Sequence, residues 1–130
     1  MAARLLLFAF LCLPLVSATV GCGDGSRLAT VTGTVTLNGA PLENAQVLFR
    51  PEQGRPSLGT TDSLGKYEIY YTMDRPGALV GSHTVSISTA IDQEDETLAP
   101  ERVPSRYNAE SELVRDIEPG NNVFDFELDG

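Results

Sequence analysis

The sequence predicts an all-β fold, a seven-stranded antiparallel β-sandwich, and three observations support that prediction. Beyond residue 29, short segments alternate apolar and polar residues with a period of two, which is typical of half-buried strands. Gly, Pro, Asn and Asp are concentrated between these segments, as expected for turns. The same region shows no amphipathic helical periodicity, so two sheets are expected to cover each other's apolar faces.

The first three predicted strands follow from alternation and from the turns between them. Residues 30–37 carry threonine at every second position, with apolar residues and one glycine between. That glycine, Gly33, lies on the apolar face, which suggests close approach by another chain segment or a bulge. An Asn-Gly pair at 38–39 is a strong turn signal, and alternation resumes over residues 45–50. Residues 57–61 form a short third strand.

The other four predicted strands are also bounded by turn residues. Asp62 favours a turn because its carboxylate can accept hydrogen bonds from backbone amides two residues on. Residues 66–72 follow as the fourth strand and 83–91 as the fifth. The sixth strand, 112–118, precedes a Pro-Gly-Asn-Asn turn. Residues 123–129 form the last strand and show the clearest alternation in the chain.

A long loop, 92–111, separates the fifth and sixth predicted strands. Structureless loops of this length are uncommon in compact domains. We therefore expect it to lie across the sandwich, held by Val103 and Tyr107. The loop opens with four acidic residues that offer hard oxygen ligands to Ca²⁺. They are Asp92, Glu94, Asp95 and Glu96. Their spacing matches no calcium-loop pattern, so a solvated acidic loop is the favoured interpretation.

The N-terminal segment has the layout of a bacterial lipoprotein signal. A short basic start at 1–4 is followed by an apolar run at 5–16. That run is shorter than the roughly 20 residues of a membrane span and matches the roughly 7–15 residues of an export signal. Small or β-branched residues at 19–21 precede Cys22, and a polar, glycine-rich stretch follows it. We expect cleavage before Cys22 and acylation of its thiol and new amine.

Two alternatives remain for this segment: an ordinary secretory signal cut near Ala18 or Gly21, and an uncleaved anchor. Thr19 departs from the leucine usual three positions before a lipoprotein cysteine. Cys12 would be discarded with the signal, which leaves Cys22 as a single cysteine and excludes an internal disulfide. An exported domain with one leftover cysteine calls for an explanation, and acylation supplies one.

The predicted organisation is therefore a signal peptide at 1–21, a lipidated tether at 22–29 and one β-sandwich domain at 30–129. About 110 residues remain after cleavage, which is enough for one domain with its own core. The protein is expected to be exported and anchored by lipid to the cell-envelope membrane, facing the periplasm. The membrane is therefore an expected partner, and the N-terminal lipid makes the contact with it.

Composition excludes several function classes. The net charge is −9 and the chain holds a single lysine, Lys66, so a nucleic-acid partner is not expected. The single histidine, His83, is too little for a zinc site of three or four convergent ligands. Ser-His-Asp catalysis would have to use His83, and no Gly-x-Ser-x-Gly turn is present. We interpret His83 as a strand-start residue near a loop and expect no enzyme activity, no metal and no cofactor.

Several motifs, taken in order, resemble the carboxypeptidase regulatory-like domain. They are Val-Thr-Gly-Thr-Val at 31–35, Asn-Gly-Ala-Pro-Leu at 38–42, Ala-Gln-Val-Leu-Phe at 45–49, Thr-Asp-Ser-Leu-Gly-Lys-Tyr at 61–67 and Gly-Ser-His-Thr-Val at 81–85. Two further stretches, 103–108 and 120–126, are similar to those of small bacterial lipoproteins built from one such domain. The resemblance implies a Greek-key, prealbumin-like sandwich. It implies no peptidase, because in carboxypeptidases this domain accompanies a separate zinc catalytic domain.

The first functional hypothesis is a lipid-anchored, non-enzymatic envelope module with a structural or binding role. The alternative is an extracytoplasmic module that binds carbohydrate, peptide or Ca²⁺ through the loop 92–111. Exposed aromatic residues are a further sign of a recognition surface, and Tyr70 and Tyr107 are the candidates, for a sugar or a peptide. Sequence alone identifies no protein or glycan partner and no oligomeric state, although open sheet edges could pair.

Overall fold

The computed structural model describes residues 27–91, 97 and 99–130, and the regular secondary structure of this part is β-strand apart from one 3₁₀ turn. The strands are β1 (Leu28–Leu37), β2 (Ala40–Pro41), β3 (Gln46–Pro51), β4 (Ser57–Thr60), β5 (Lys66–Glu68), β6 (Tyr70–Thr72), β7 (Arg75–Pro76), β8 (Ala78–Leu79), β9 (Gly81–Ser88), β10 (Leu113–Ile117), β11 (Asn121–Val123) and β12 (Phe126–Leu128). One 3₁₀ turn, Ser105–Tyr107, precedes β10. The described residues include no helix with the length and hydropathy needed to span a membrane.

One sheet is antiparallel throughout and has the strand order β10-β9-β3-β4-β6-β7. Its centre is the pairing of β3 with β9, in which Phe49 lies opposite Val85. On the other side of β3, Phe49 lies opposite Ser57 of β4. Alternation then places Val47 and Phe49 on the buried face of β3, while Leu48 lies on the outer face.

The second sheet is built around β1, the longest strand. Odd-numbered residues of β1 bond β8, β5 and β2 in antiparallel register, as in the bond from Ile69 N–H to Val31 O of 2.9 Å. Even-numbered residues bond β11 and β12 in parallel register, as in the bond from Phe124 N–H to Thr32 O of 2.9 Å. The sequence predicted antiparallel pairing throughout, and the structure differs from this prediction because β11 and β12 run parallel to β1.

The predicted seven strands become twelve in the described part of the chain, because two predicted strands are each divided in two and three two-residue strands, β2, β7 and β8, lie outside the predicted segments. Residues 66–72 form β5 in the β1-centred sheet and β6 in the antiparallel sheet, and the chain changes sheets at Ile69. The Ile69 N–H bonds Val31 O, and its carbonyl accepts from Gly77 N–H at 2.7 Å. Residues 123–129 are divided at Phe124 and Asp125. The first strand also begins at Leu28, two residues inside the predicted tether.

The core lies between the two sheets. Phe49 is fully buried at its centre and contacts His83, Phe124 and Phe126 with ring centroids 6.0–6.4 Å apart. The buried apolar residues are Ala29, Val31, Val35, Leu42, Ala45, Val47, Phe49, Tyr67, Ile69, Ala78, Leu79, Val85, Ile87, Val103, Ile117, Phe126 and Leu128. Each such burial contributes roughly 1.5–3 kcal/mol for the larger side chains, so this cluster is the main source of stability.

The described part of the loop 92–111 is held against the sandwich as predicted. Val103 is 3% exposed and Tyr107 is half-buried against the core. Glu101 holds this segment against the end of β9 through side-chain hydrogen bonds. Its Oε1 accepts hydrogen bonds from Thr89 N–H at 2.9 Å and Val103 N–H at 3.1 Å, and its Oε2 accepts one from the Ser88 hydroxyl. Burial alone would raise the pKa of Glu101, but these bonds together outweigh it and lower the pKa below 4.5.

The Glu101→Gln variant is expected to lose about 1 kcal/mol of unfolding free energy at pH 7, since an exposed charge-assisted network is partly screened by solvent. The folded-state pKa is depressed, so this contribution is complete above the ordinary value of 4.5 and is lost as pH falls through the folded pKa. Urea unfolding of both proteins between neutral and acid pH measures the effect. The unfolding free energies of the two proteins should become equal at acid pH. Glu112→Gln is the control, because the described residues give that carboxylate no hydrogen bond. Equal losses for the two variants would contradict the assignment.

Candidate functional site

An open groove on the outer face of the antiparallel sheet is the candidate site considered for this protein. Its volume is about 610 Å³, within the roughly 300–1,000 Å³ typical of small-molecule sites. The lining residues are Arg55, Pro56, Leu58, Gly59, Thr60, Glu68, Tyr70, Tyr71, Thr72 and Met73. They come from β4, from the β5–β6 crossing and from the loop before β4.

Strand alternation determines which side chains reach this groove. In β4, Ser57 and Gly59 are buried, while Leu58 and Thr60 face outward. Leu58 pairs across the sheet with Tyr70. Gly59 allows the crossing chain to approach, since a Cβ there would lie 2.1 Å from the carbonyl oxygen of Glu68. The close approach brings the β5–β6 segment against β4 and forms the groove wall.

Two guanidinium groups lie near the ring of Tyr71, one from the groove-lining Arg55 and one from Arg75, which is not among the lining residues. The Cζ of Arg55 lies 5.7 Å from the Tyr71 ring centroid, and that of Arg75 lies 5.5 Å from it. Both distances are in the range of cation–π attraction. Tyr71 would share the buried face with Tyr67 and Ile69 if a single strand alternated through residues 66–72. It is instead half-buried, because the chain changes sheets at Ile69 and the alternation of β5 does not continue into β6.

Most polar side chains of the groove have no polar partner among the residues that the structure describes. Apart from the contact between Arg55 and Tyr71, the side chains of Arg55, Thr60, Glu68, Tyr70 and Thr72 make no hydrogen bond or ion pair with any residue that the structure describes. The apolar lining is also exposed, with Leu58 at 43% and Tyr70 at 39%. Apolar surface with a few convergent polar groups is the usual composition of a ligand site.

The structure places the residues predicted from sequence in different situations. Tyr70 is exposed and lies in the groove, whereas Tyr107 is half-buried and its hydroxyl accepts from Asp129 N–H at 3.2 Å. Asp62 forms the turn predicted for it, since its Oδ1 accepts from Leu64 N–H and Lys66 N–H at 2.9 Å each.

Five other predicted site residues lie outside the described part of the chain. They are the lipidation candidate Cys22 and the calcium candidates Asp92, Glu94, Asp95 and Glu96. Among residues 27–91, 97 and 99–130, no three His, Cys, Asp or Glu side chains are grouped closely enough to hold a metal ion.

His83 is a core residue in the third position of β9. It is 1% exposed, its ring packs edge-on against Phe49, and its Nε2–H donates to the carbonyl of Leu79 at 2.6 Å. Its Nδ1 has no hydrogen-bond partner among the described residues. The imidazole is therefore closed off from solvent and packs as an aromatic side chain.

Arg55, Glu68 and Arg75 were not among the residues selected from sequence. They are well separated along the chain, in segments with ordinary turn or strand composition. The pairing of β6 with β4 and with β7 brings the two arginines to the Tyr71 ring, while the approach of the β5–β6 segment to Gly59 brings Glu68 to the groove. The Tyr-Tyr pair at 70–71, with Arg75 four residues later, is the local signal that could have indicated the site.

The fold and the groove together define a β-sandwich-like domain with an open groove on one sheet. It is similar to the crystal structure of a DUF3823 family protein from Parabacteroides merdae, with a TM-score of 0.47 and 13% identity over 78% of this chain and 46% of that one. It is also similar to a 9R-lipoxygenase from Cyanothece, with a TM-score of 0.39 and 17% identity over 80% of this chain and 16% of that one. The chain thus spans about half of the first protein and about a sixth of the second. No protein-family model and no curated protein matches the sequence.

Proposed function

We propose that this protein is a non-enzymatic binding module of the bacterial cell envelope, anchored to the membrane by lipid on Cys22. The binding role is carried by one observation, the groove lined by exposed Tyr70 and Leu58 and by polar side chains without partners among the described residues. The module is of the carboxypeptidase regulatory-like type. Its matching motifs lie at turns and core positions, such as the turn at Asn38 and Gly39, with φ of 52° and 82°, and the buried Phe49.

The position of β1 supports an anchor close to the domain. The first strand begins at Leu28, six positions after Cys22. Even a fully extended chain covers only about 20 Å over that separation. A lipid on Cys22 would therefore hold the sandwich next to the bilayer, where the groove would meet envelope polymers rather than freely diffusing partners.

The burial of His83 supports a non-enzymatic role. The general bases and nucleophile activators that enzymes use most often are histidines within reach of substrate. The single histidine of this chain is 1% exposed and is packed against Phe49. Within the groove, Glu68 is the one carboxylate among the lining residues, so a paired-carboxylate mechanism has no second partner there.

The Cys22→Ser variant is expected to move from the membrane fraction to the soluble fraction, because the acylation site is lost. Cell fractionation followed by immunoblotting measures the distribution, and mass spectrometry of the wild-type N-terminus should show the added lipid. Cys12→Ser is the matched control: it removes the chain's other cysteine, which lies inside the signal, and should leave fractionation unchanged. Retention of the Cys22→Ser protein in the membrane fraction would contradict the anchor.

A further inference from the structure

We infer that the Tyr70 groove binds a carboxylate-bearing sugar, a uronic-acid unit of an acidic polysaccharide. This assignment rests on the proposed binding role of the groove and specifies the ligand. Three features carry it: an exposed aromatic floor, hydroxyl and carboxylate groups without partners among the described residues, and the guanidinium of the lining residue Arg55, with that of Arg75 near the same Tyr71 ring.

The floor of the groove fits the apolar face of a sugar ring. Tyr70 and Leu58 are cross-strand neighbours on the outer face of the sheet, and both are more than one-third exposed. An aromatic side chain beside an aliphatic one offers a flat apolar surface on which the C–H face of a pyranose can stack. Loss of the Tyr70 side chain should therefore weaken the binding of any sugar, charged or neutral.

The polar groups suit a ring that carries several hydroxyls. Glu68 can accept hydrogen bonds from ligand hydroxyls, while Thr60 and Thr72 can both donate and accept. None of the three side chains is paired with a described residue. Ligand hydroxyls would satisfy these groups without displacing any contact between the described residues of the protein.

The guanidinium pair adds a requirement for negative charge. Arg55 lines the groove, and Arg75 lies on the same tyrosine ring, Tyr71. Neither arginine contacts a carboxylate among the described residues, although the chain carries a net charge of −9. Planar guanidinium groups bind carboxylates in a bidentate manner, and such bonds are about twice as strong as neutral ones. A ligand carboxylate is the partner that this surface lacks.

An extended acidic peptide fits this surface less well. Peptides that bind sheets usually add a strand to a free edge, where backbone groups are unpaired. Here β4 lies between β3 and β6, so the sheet presents no free edge at Leu58. Recognition of a ligand on the groove floor must therefore come from side chains, which favours a sugar ring over an extended peptide backbone.

The test is calorimetric titration of the full-length protein in mild detergent with three probes: tri-galacturonate, its methyl ester and a glutamate-rich hexapeptide. The acid should bind at least about tenfold more tightly than the ester, since the ester cannot form the charge-assisted pair with the guanidinium. Arg55→Ala should remove that difference by weakening binding of the acid far more than binding of the ester. Tyr70→Ala should weaken the binding of both the acid and the ester. Arg50→Ala is the control: it replaces an exposed arginine of β3 outside the groove and should change the affinity for neither sugar.

The outcomes separate this inference from the proposed binding role. Equal affinity for acid and ester would overturn the requirement for a carboxylate but leave a sugar-binding groove. Binding of the peptide alone, lost in Arg55→Ala, would overturn the sugar assignment and keep the groove as a binding site. Absence of binding to all three probes, with unchanged thermal unfolding of the variants, would overturn both. The variants concern exposed side chains, and melting curves verify that each remains folded.

Discussion

Replacing Gly33 by alanine is expected to destabilise the domain by about 3 kcal/mol or more, because the added methyl group would have to occupy space filled by backbone. A Cβ at this position would lie 1.9 Å from the carbonyl oxygen of Phe124 and 2.7 Å from the hydroxyl of Tyr67. Real Cβ atoms essentially never approach other heavy atoms this closely. Either β1 or the segment at Phe124 must therefore shift.

The cost is large because several hydrogen bonds depend on this close approach. The Phe124 carbonyl turns out of the parallel pairing and accepts from the Tyr67 hydroxyl at 2.5 Å. Asp125 compensates by offering its side-chain Oδ1 to Thr34 N–H at 2.9 Å. Burial, followed by the nearby charge of Asp125, raises the pKa of Tyr67 well above its ordinary value, while Arg115 opposes the shift. The phenol therefore stays protonated and able to donate.

Thermal and urea unfolding measure the effect, and a loss of about 3 kcal/mol lowers Tm by at least about 10 °C for a domain of this size. Gly39→Ala is the control for the conformational role of glycine. Gly39 has φ of 82°, and no atom lies within 4 Å of the place that an added methyl group would take, so only backbone strain of about 1–2 kcal/mol is expected. A smaller loss for Gly33→Ala than for Gly39→Ala would contradict the proposed clash.

Truncation of Phe49 to alanine is expected to cost about 3–5 kcal/mol, the range for removing a buried phenylalanine ring. Its side chain is fully buried and lies against rings from both sheets: His83 on β9, Phe124, and Phe126 on β12. Loss of the ring leaves a cavity at the point where the sheets meet. Urea unfolding monitored by circular dichroism gives the free-energy change.

Phe49→Leu provides a graded comparison, since it keeps much of the volume and should cost clearly less than Phe49→Ala. Val114→Ala is the surface control, because Val114 is 54% exposed on the edge strand β10 and should change stability by less than about 0.5 kcal/mol. A cost for Phe49→Ala near that of Val114→Ala would show that the two sheets do not share this core.

Much of the fold could be predicted from sequence because alternation is a local signal. The segments at 30–37 and 45–50 became β1 and β3 with small changes at their ends, and their buried faces are those that the pattern predicted. The expectation of close approach at Gly33 is also confirmed, since a glycine on a buried face leaves space that a neighbouring backbone can fill. Val103 holds the described part of the long loop for the same local reason, as an apolar residue in a polar stretch.

The candidate site could be predicted only in part. Tyr70 was selected as an exposed aromatic residue, which its place in the alternation of 66–72 indicated. Arg55 and Arg75 were not selected, because their approach to Tyr71 depends on how β4, β6 and β7 are paired. His83 was placed at a strand start near a loop, and only the packing of Phe49 shows it to be a closed core position.

The sequence by itself determined the all-β class, most strand positions and the turns, because a period of two and turn residues act over a few neighbouring positions. The tertiary structure decided the change of sheet at Ile69, the parallel return of β11 and β12 along β1, and the groove. Each depends on hydrogen bonds between residues that are distant in the chain, such as the bond from Ile69 to Val31. Local pattern carries no information about those pairings, so the surface that we propose for binding emerges only when the two sheets form.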